Sequence, residues 1–220
     1  MIDTQLPKIS VHDFSDCILG FSYEKLKKAV YPKPRYRSFV ISKRNGSARV
    51  IDEPLKELKS IQRKILSYLE SISGQPHSCV HGFVIDRSIV TNAQQHCNPR
   101  VKHILNIDLE NFFPSITFKR VRGALRKHPF YFSHPVASLV AHICTREGVL
   151  PQGAPTSPFI SNVICRGLDR DLKKLARNNR AEYTRYADDM TFSFAHPSKE
   201  KLPGNICVWD SGKVKETLIN

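Results

Sequence analysis

Tyr186-Ala187-Asp188-Asp189 is the stretch whose reading decides the fold. It separates two strand-forming segments, residues 181–186 before it and residues 190–195 after it. Adjacent carboxylates repel each other, and burial sharpens the repulsion. Such a pair persists where a positive charge sits on it, commonly a divalent cation, which takes hard oxygen ligands. Taken alone, the tetrapeptide also fits a solvated β-turn with two exposed acids. A third acid favours the metal reading. Asp108 ends a short apolar run in Ile104-Leu105-Asn106-Ile107-Asp108-Leu109-Glu110-Asn111-Phe112-Phe113, and a helix-like stretch follows at 118–127. One strand ending in Asp108 and one hairpin turning at Asp188-Asp189 predict three carboxylates around two Mg²⁺ ions. That is the layout of two-metal phosphoryl transfer.

The bulk composition agrees with a polyanionic partner. The chain has 220 residues, 34 Lys+Arg against 20 Asp+Glu, and a net charge of +14. Its isoelectric point is near 9.7. Between Lys25 and Arg49 stand nine Lys or Arg residues and no acid, interleaved with Tyr31, Tyr36 and Phe39. Basic side chains bind phosphates, while aromatics stack on bases or fill a core. The six cysteines, at 17, 79, 97, 144, 165 and 207, show no C-x-x-C spacing. They read as reduced thiols of a cytoplasmic protein. The nine histidines form no zinc motif. No basic, apolar leader opens the sequence, and no apolar run approaches ~18 residues. Neither export nor a membrane partner is expected.

Residues 13–30 read as a helix, broken by Tyr31-Pro32-Lys33-Pro34. Residues 36–42 alternate as a strand, Asn45-Gly46 supplies a hairpin turn, and 48–51 return. Pro54 is expected to open an amphipathic helix with the stripe Leu55, Leu58, Ile61, Ile65, Leu69 and Ile72. Residues 77–100 read as loop-rich. A strand at 102–108, helices near 117–127 and 135–145, a long helix at 157–178 and a hairpin at 182–195 complete an α+β pattern. Residues 213–219 look like the start of a helix, and the chain reads as a fragment.

Between Asp108 and the aspartate pair lies Leu150-Pro151-Gln152-Gly153-Ala154-Pro155-Thr156-Ser157-Pro158. Gly153 permits close backbone approach, and the prolines stiffen the loop before a helix. Such a loop is either a rigid turn or a surface of amides and Gln152 offered to a nucleotide or template strand. These three segments, in this order, resemble reverse transcriptases. Asp108-Leu109-x-x-Phe112-Phe113 matches the first palm motif, 150–158 the second, and Tyr186–Asp189 the third. Upstream, Arg35-Tyr36-Arg37-x-Phe39-x-Ile41-x-Lys43-Arg44-x-Gly46-x-x-Arg49-x-Ile51 and Leu58-Lys59-Ser60-Ile61-Gln62-Arg63-x-Ile65-Leu66 resemble the fingers of bacterial members. His81-Gly82-Phe83 with Arg87-Ser88-Ile89-x-x-Asn92-Ala93-x-x-His96 is most similar to the retron branch.

The resemblance implies a right-hand polymerase of fingers and palm, with an antiparallel palm sheet backed by helices. Residues 1–100 would hold the N-terminal helices and fingers, including the basic hairpin 36–51 and a retron-like insertion at 81–96. Residues 101–220 would hold the palm and stop before a thumb. Asp108, Asp188 and Asp189 would carry two Mg²⁺ ions, with the Leu109 carbonyl as a further ligand. A primer hydroxyl would attack the α-phosphate of a dNTP on an RNA template. Arg49 and Lys43 would grip the triphosphate, or else form a solvated basic hairpin. Gln152 would meet the nucleotide. Phe113 would sit under the sugar and exclude a 2′-hydroxyl, whereas Phe112 reads as core. Arg87 and Asn92 would contact nucleic acid or cap a helix, Tyr186 would approach the primer end, and His96 is also read as a satisfied core histidine. Glu110 and Asn111 read as solvent-facing.

The leading reading is thus an RNA-directed DNA polymerase of retron type. Its partners would be a structured RNA, its DNA product, dNTPs and an effector protein in anti-phage defence. Alternatives are another bacterial reverse transcriptase, defence-associated or group II intron-like, and a nucleic-acid-binding palm without polymerase activity.

Overall fold

The computed structural model describes residues 9–42, 46, 48–196, 208–210 and 213–215. Among them the chain is α+β, and its contacts divide it into two compact units. One comprises residues 1–75 and 111–164, the other 76–110 and 165–220. These units are discontinuous in sequence, because strand pairing joins residues more than 80 positions apart.

In the first unit, the helix expected at 13–30 is broken. A single turn, α1 (Val11–Asp13), runs into a π-helical segment (Phe14–Leu19). Gly20, at φ +65°, ends it, and Ser22 accepts a hydrogen bond from the Lys25 amide to start α2 (Tyr23–Val30). A left-handed glycine followed by a serine cap makes two helices where periodicity alone reads one. Strand β1 (Tyr36–Ser42) pairs antiparallel with β2 (Ala48–Pro54), setting Ile41 opposite Arg49 and Ser38 opposite Asp52. Asn45 lies outside the described residues. Pro54 closes β2 rather than opening the next helix, α3 (Lys56–Ser73), whose N-cap is Leu55.

α3 buries Leu58, Ile61, Ile65 and Leu69 at helical spacing, while Leu55 is exposed. It packs on α2 and on α7 (His134–Cys144), which buries Val136, Leu139, Val140 and Ile143. Gln62 lies in the same stripe. Its Nε2 donates to Tyr36 Oη and to the Ile143 carbonyl, both at 2.8 Å. Two short helices, α5 (Phe112–Ser115) and α6 (Phe118–Leu125), precede α7. Phe112 is buried.

The loop 150–158 lies on β2. The Asp52 amide donates to the Gln152 carbonyl at 2.7 Å. Gly153 has φ +119°, and a Cβ there would stand 2.8 Å from Ile51 Cγ2 and 3.0 Å from the Asp52 carbonyl oxygen. Asp52 also pairs with Arg146, which donates to Ser38 Oγ as well. The motif's glycine is thus required by close approach to a strand. The loop ends in the long helix α8 (Ser157–Asn178), whose expected bounds hold.

In the second unit, β3 (His103–Asp108), β5 (Asp189–Phe194) and β4 (Ala181–Tyr186) form an antiparallel sheet in that order. One face is apolar. Leu105, Ile107, Met190, Phe192, Phe194 and Tyr183 pack with Leu172 and Ala176 of α8 and with Cys79 and Val80. A six-residue helix, α4 (Ile89–Gln94), stands within the stretch expected to be loop. Ser88 and Thr91 cap it reciprocally, and so short a helix leaves little periodicity to read. Strands β6 (Val208–Asp210) and β7 (Lys213–Lys215) form a separate antiparallel pair. The helix expected from Lys213 is therefore a strand at its start, where cross-strand pairing outweighs weak local periodicity. Residues 216–219 lie outside the described residues.

Gly153→Ala is expected to destabilise the chain by about 1–3 kcal/mol, through positive φ and the clash with β2. Urea unfolding followed by circular dichroism measures it.

Candidate active site

Register brings the carboxylates together. Asp189, the first residue of β5, lies opposite Asp108 on β3 and opposite Tyr186 on β4. Directly opposed residues in an antiparallel pair project to the same face. Asp108, Asp189 and Tyr186 therefore form one row across the end of the sheet, on the face away from the apolar core. The Leu109 amide donates to the Asp188 carbonyl at 3.1 Å, carrying the pairing one step beyond the strands. Asp108 and Asp189 are exposed and Asp188 is half-buried. The next row on this face holds Asn106, Thr191 and Thr184, with Thr191 Oγ1 donating to Asn106 Oδ1 at 3.0 Å.

The turn between the strands is held from below. Arg185 points into the core, where it is 0% exposed. Its Nε and Nη2 each donate to a carboxylate oxygen of Asp169 at 2.7 Å, and its Nη1 donates to the Ala187 carbonyl at 2.8 Å. Burial alone would lower the Arg185 pKa, but the hydrogen bonds and charge of Asp169 outweigh it and raise it. Tyr183 Oη also donates to Asp169, at 3.1 Å. Removing one partner of such a pair costs roughly 3–5 kcal/mol, because the other charge is left buried. Ala187 has φ +58°.

On the outer side of β4, the Arg185 amide donates to the Cys79 carbonyl and the His81 amide to the Arg185 carbonyl, both at 2.8 Å. Gly82 then passes so close that a Cβ would stand 2.3 Å from the Ala187 nitrogen.

The electrostatics of the row suit a cation. Burial and the charges of Asp188 and Asp108 together raise the Asp189 pKa above the ordinary carboxylate value. Among the described residues no ion pair engages these three carboxylates. Nor do three or more His, Cys, Asp or Glu side chains close into a preformed metal cluster there. The donor set still fits a divalent metal, since it is all hard oxygen and repels itself without a positive charge.

Residues 41–210 match the model of the family described as reverse transcriptase (RNA-dependent DNA polymerase). The chain belongs to the reverse transcriptase family. The retron Mx162 reverse transcriptase of Myxococcus xanthus is 40% identical over 205 residues, covering 83% of this chain and 41% of that relative. The retron Ec86 reverse transcriptase of Escherichia coli is 38% identical over 188 residues, covering 84% of this chain and 57% of that relative. The chain thus spans about half the length of these relatives. No helix among the described residues is long and apolar enough to cross a membrane.

The other residues that the family resemblance points to are placed as follows. In the first unit, Arg49 is exposed on β2, Gln152 is half-buried beside Asp52, and Phe113 is half-buried with its ring edge-on to Phe112 at 5.3 Å. Lys43 lies outside the described residues. In the second unit, Arg87 Nη1 donates to the carbonyls of His77, Ser78 and Val80, so it fastens the segment beside β4. Asn92 stands in α4, with Oδ1 buried and without a hydrogen-bond partner among the described residues. Glu110 and Asn111 are exposed, as expected.

His96 is the satisfied core histidine. Its ring nitrogens lie 2.7 Å from Ser193 Oγ and 2.7 Å from Thr184 Oγ1, joining the end of α4 to the polar face of the sheet. Sequence reasoning missed Arg185, Asp169 and the role of Gly82. One signal was present: Cys165, Asp169, Leu172 and Ala176 follow helical spacing, which puts an acid in a buried stripe.

Burial, the leading cause, holds the His96 pKa below its ordinary 6.5. His81 is lowered in the same way, first by burial and then by Arg87 and Lys173. The unfolded chain therefore takes up protons near pH 6.5 that the folded chain refuses. Stability should be complete above that pH and fall below it, by at most about 1.4 kcal/mol per pH unit for each histidine. Chemical unfolding at a series of pH values should show this slope, and His96→Asn should make it shallower.

Proposed function

We propose that this chain carries the polymerase chemistry of a retron-type RNA-directed DNA polymerase. One observation carries the reading: Asp108 and Asp189 are paired across β3 and β5, with Asp188 in the adjoining turn, as a self-repelling set. Asp108, Asp188 and Asp189, with the Leu109 carbonyl, would hold two Mg²⁺ ions. Bound there, the ions supply a more acidic primer hydroxyl and neutralise triphosphate charge.

The chain's own residues do the positioning. Arg49 and Lys43 grip the triphosphate as charge-assisted donors. Gln152 and the loop around it meet the nucleotide, and Phe113 takes the place a ribose 2′-hydroxyl would occupy, selecting dNTPs. Tyr186, in the aspartate row, approaches the primer end, while Arg87 and Asn92 contact the nucleic acid through groups their structural roles leave over. The primer hydroxyl gives up its proton to solvent, its oxygen bonds to the α-phosphorus, and the bond to pyrophosphate breaks, with no covalent enzyme intermediate. The partners are a structured RNA, its DNA product and an effector protein in anti-phage defence, in the cytoplasm. The names of the retron relatives support the retron-type polymerase, and through it an RNA template and a DNA product.

A second reading is a nucleic-acid-binding palm that does not polymerise, and the net charge of +14 favours its nucleic-acid partner.

Primer extension by the 220-residue chain on an RNA template, with dNTPs and Mg²⁺, tests the first reading. Extension that disappears in Asp188→Asn/Asp189→Asn is expected, and extension unchanged by that double substitution would overturn it. Salt-sensitive RNA binding without extension would select the second reading. Phe113→Ala should raise the ratio of ribonucleotide to deoxynucleotide incorporation. An unchanged ratio removes Phe113 from sugar selection.

A further inference from the structure

We propose that Arg185 and Asp169 are positioning residues that set the aspartate turn and thereby its metal affinity. The inference rests on the metal role proposed for Asp108, Asp188 and Asp189. Ala187 lies between Tyr186 and Asp188 at φ +58° and is only 7% exposed. A non-glycine residue in this conformation persists when its surroundings over-determine it. Here the two ends of Ala187 are fixed from different sides. Its carbonyl accepts from Arg185 Nη1 at 2.8 Å. Its amide nitrogen is met by the backbone at Gly82, where a Cβ would stand at 2.3 Å.

The guanidinium is suited to this task by its shape. Nε and Nη2 form a fork on Asp169, both at 2.7 Å, which fixes the guanidinium plane and aims Nη1 at Ala187. Asp169 is in turn fixed by α8 and by Tyr183 Oη. Stability alone does not call for an ion pair here, since well-packed apolar side chains commonly serve as well. The geometry points to orientation: the pair ties the helix behind the sheet to the Ala187 carbonyl, in the peptide bond that leads into Asp188.

The test uses Mn²⁺ as the probe, titrated into the full 220-residue chain and followed by electron paramagnetic resonance, with thermal unfolding measured in parallel. Arg185→Lys keeps the charge but offers a point donor instead of a fork. It should remain folded and bind Mn²⁺ about 10- to 100-fold more weakly. Gly82→Ala, acting on the other end of Ala187, should weaken binding similarly, and it decides the matter should Arg185→Lys not fold. Leu172→Ala is the control: it destabilises the same core without touching the turn, and should bind Mn²⁺ as wild type does. Wild-type affinity in the folded Arg185→Lys or Gly82→Ala chain overturns the inference, as does an equal loss in Leu172→Ala. Absence of Mn²⁺ binding by the wild-type chain, or binding unaffected by Asp188→Asn/Asp189→Asn, overturns the metal reading itself and the inference with it.

Discussion

The buried ion pair of Arg185 and Asp169 is the constraint around which the second unit is arranged. Both groups are almost wholly removed from water, so each charge depends on the other for compensation. This dependence locks the register between α8 and β4, because a shift of either element would strand a charge in the core. It also determines what happens one residue beyond Tyr186. The donor left over from the fork reaches the Ala187 carbonyl, and the chain turns there in a left-handed conformation that alanine adopts only under restraint.

Above that anchor the sheet separates two chemistries. Its apolar face packs Phe192, Tyr183 and Met190 against α8, and that burial stabilises the unit. Its other face carries the Asp108–Asp189–Tyr186 row, then hydroxyls and an amide, then His96 clasping Ser193 and Thr184. Alternation along the strands makes this division possible, since each residue facing the core places its neighbour on the polar side. The carboxylates stay on the exposed side and avoid most of the desolvation cost that Arg185 and Asp169 must offset by pairing. An apolar face packed against α8 can therefore present a self-repelling acidic row that remains exposed to water.

In the first unit the same logic of close approach governs the loop 150–158. Gly153 lies against Ile51 and Asp52, and Arg146 bridges Asp52 and Ser38, so the loop and the hairpin are tied to each other. Glycine at 153 and proline at 151, 155 and 158 were readable as a stiff, closely approached segment. The strand they approach was not. Arg146 lies outside every motif, and nothing in its neighbours marks it as a partner of Asp52, 94 positions away. The long helix at 157–178 and the stripe of α3 were legible because many residues repeat one period. The break at Gly20, the short α4 and the strand at Lys213 were not, since each depends on a few residues whose preferences are weak.

By itself the sequence determined the elements whose pattern is long or whose chemistry is rare. These are the amphipathic helices, the apolar strands, the basic hairpin, and the unusual setting of one acid at a strand end and an acid pair at a hairpin turn. It also determined the family, because three motifs in one order leave little freedom. Only the tertiary structure decided that Asp108 and Asp189 are opposite one another, that His96 belongs to the core, and that Arg185 is a buried anchor rather than one more basic side chain. The physical reason is that register, burial and ion pairing are relations between distant segments. A local sequence encodes what a residue prefers, whereas the partner that satisfies a buried charge is fixed only when the chain has folded.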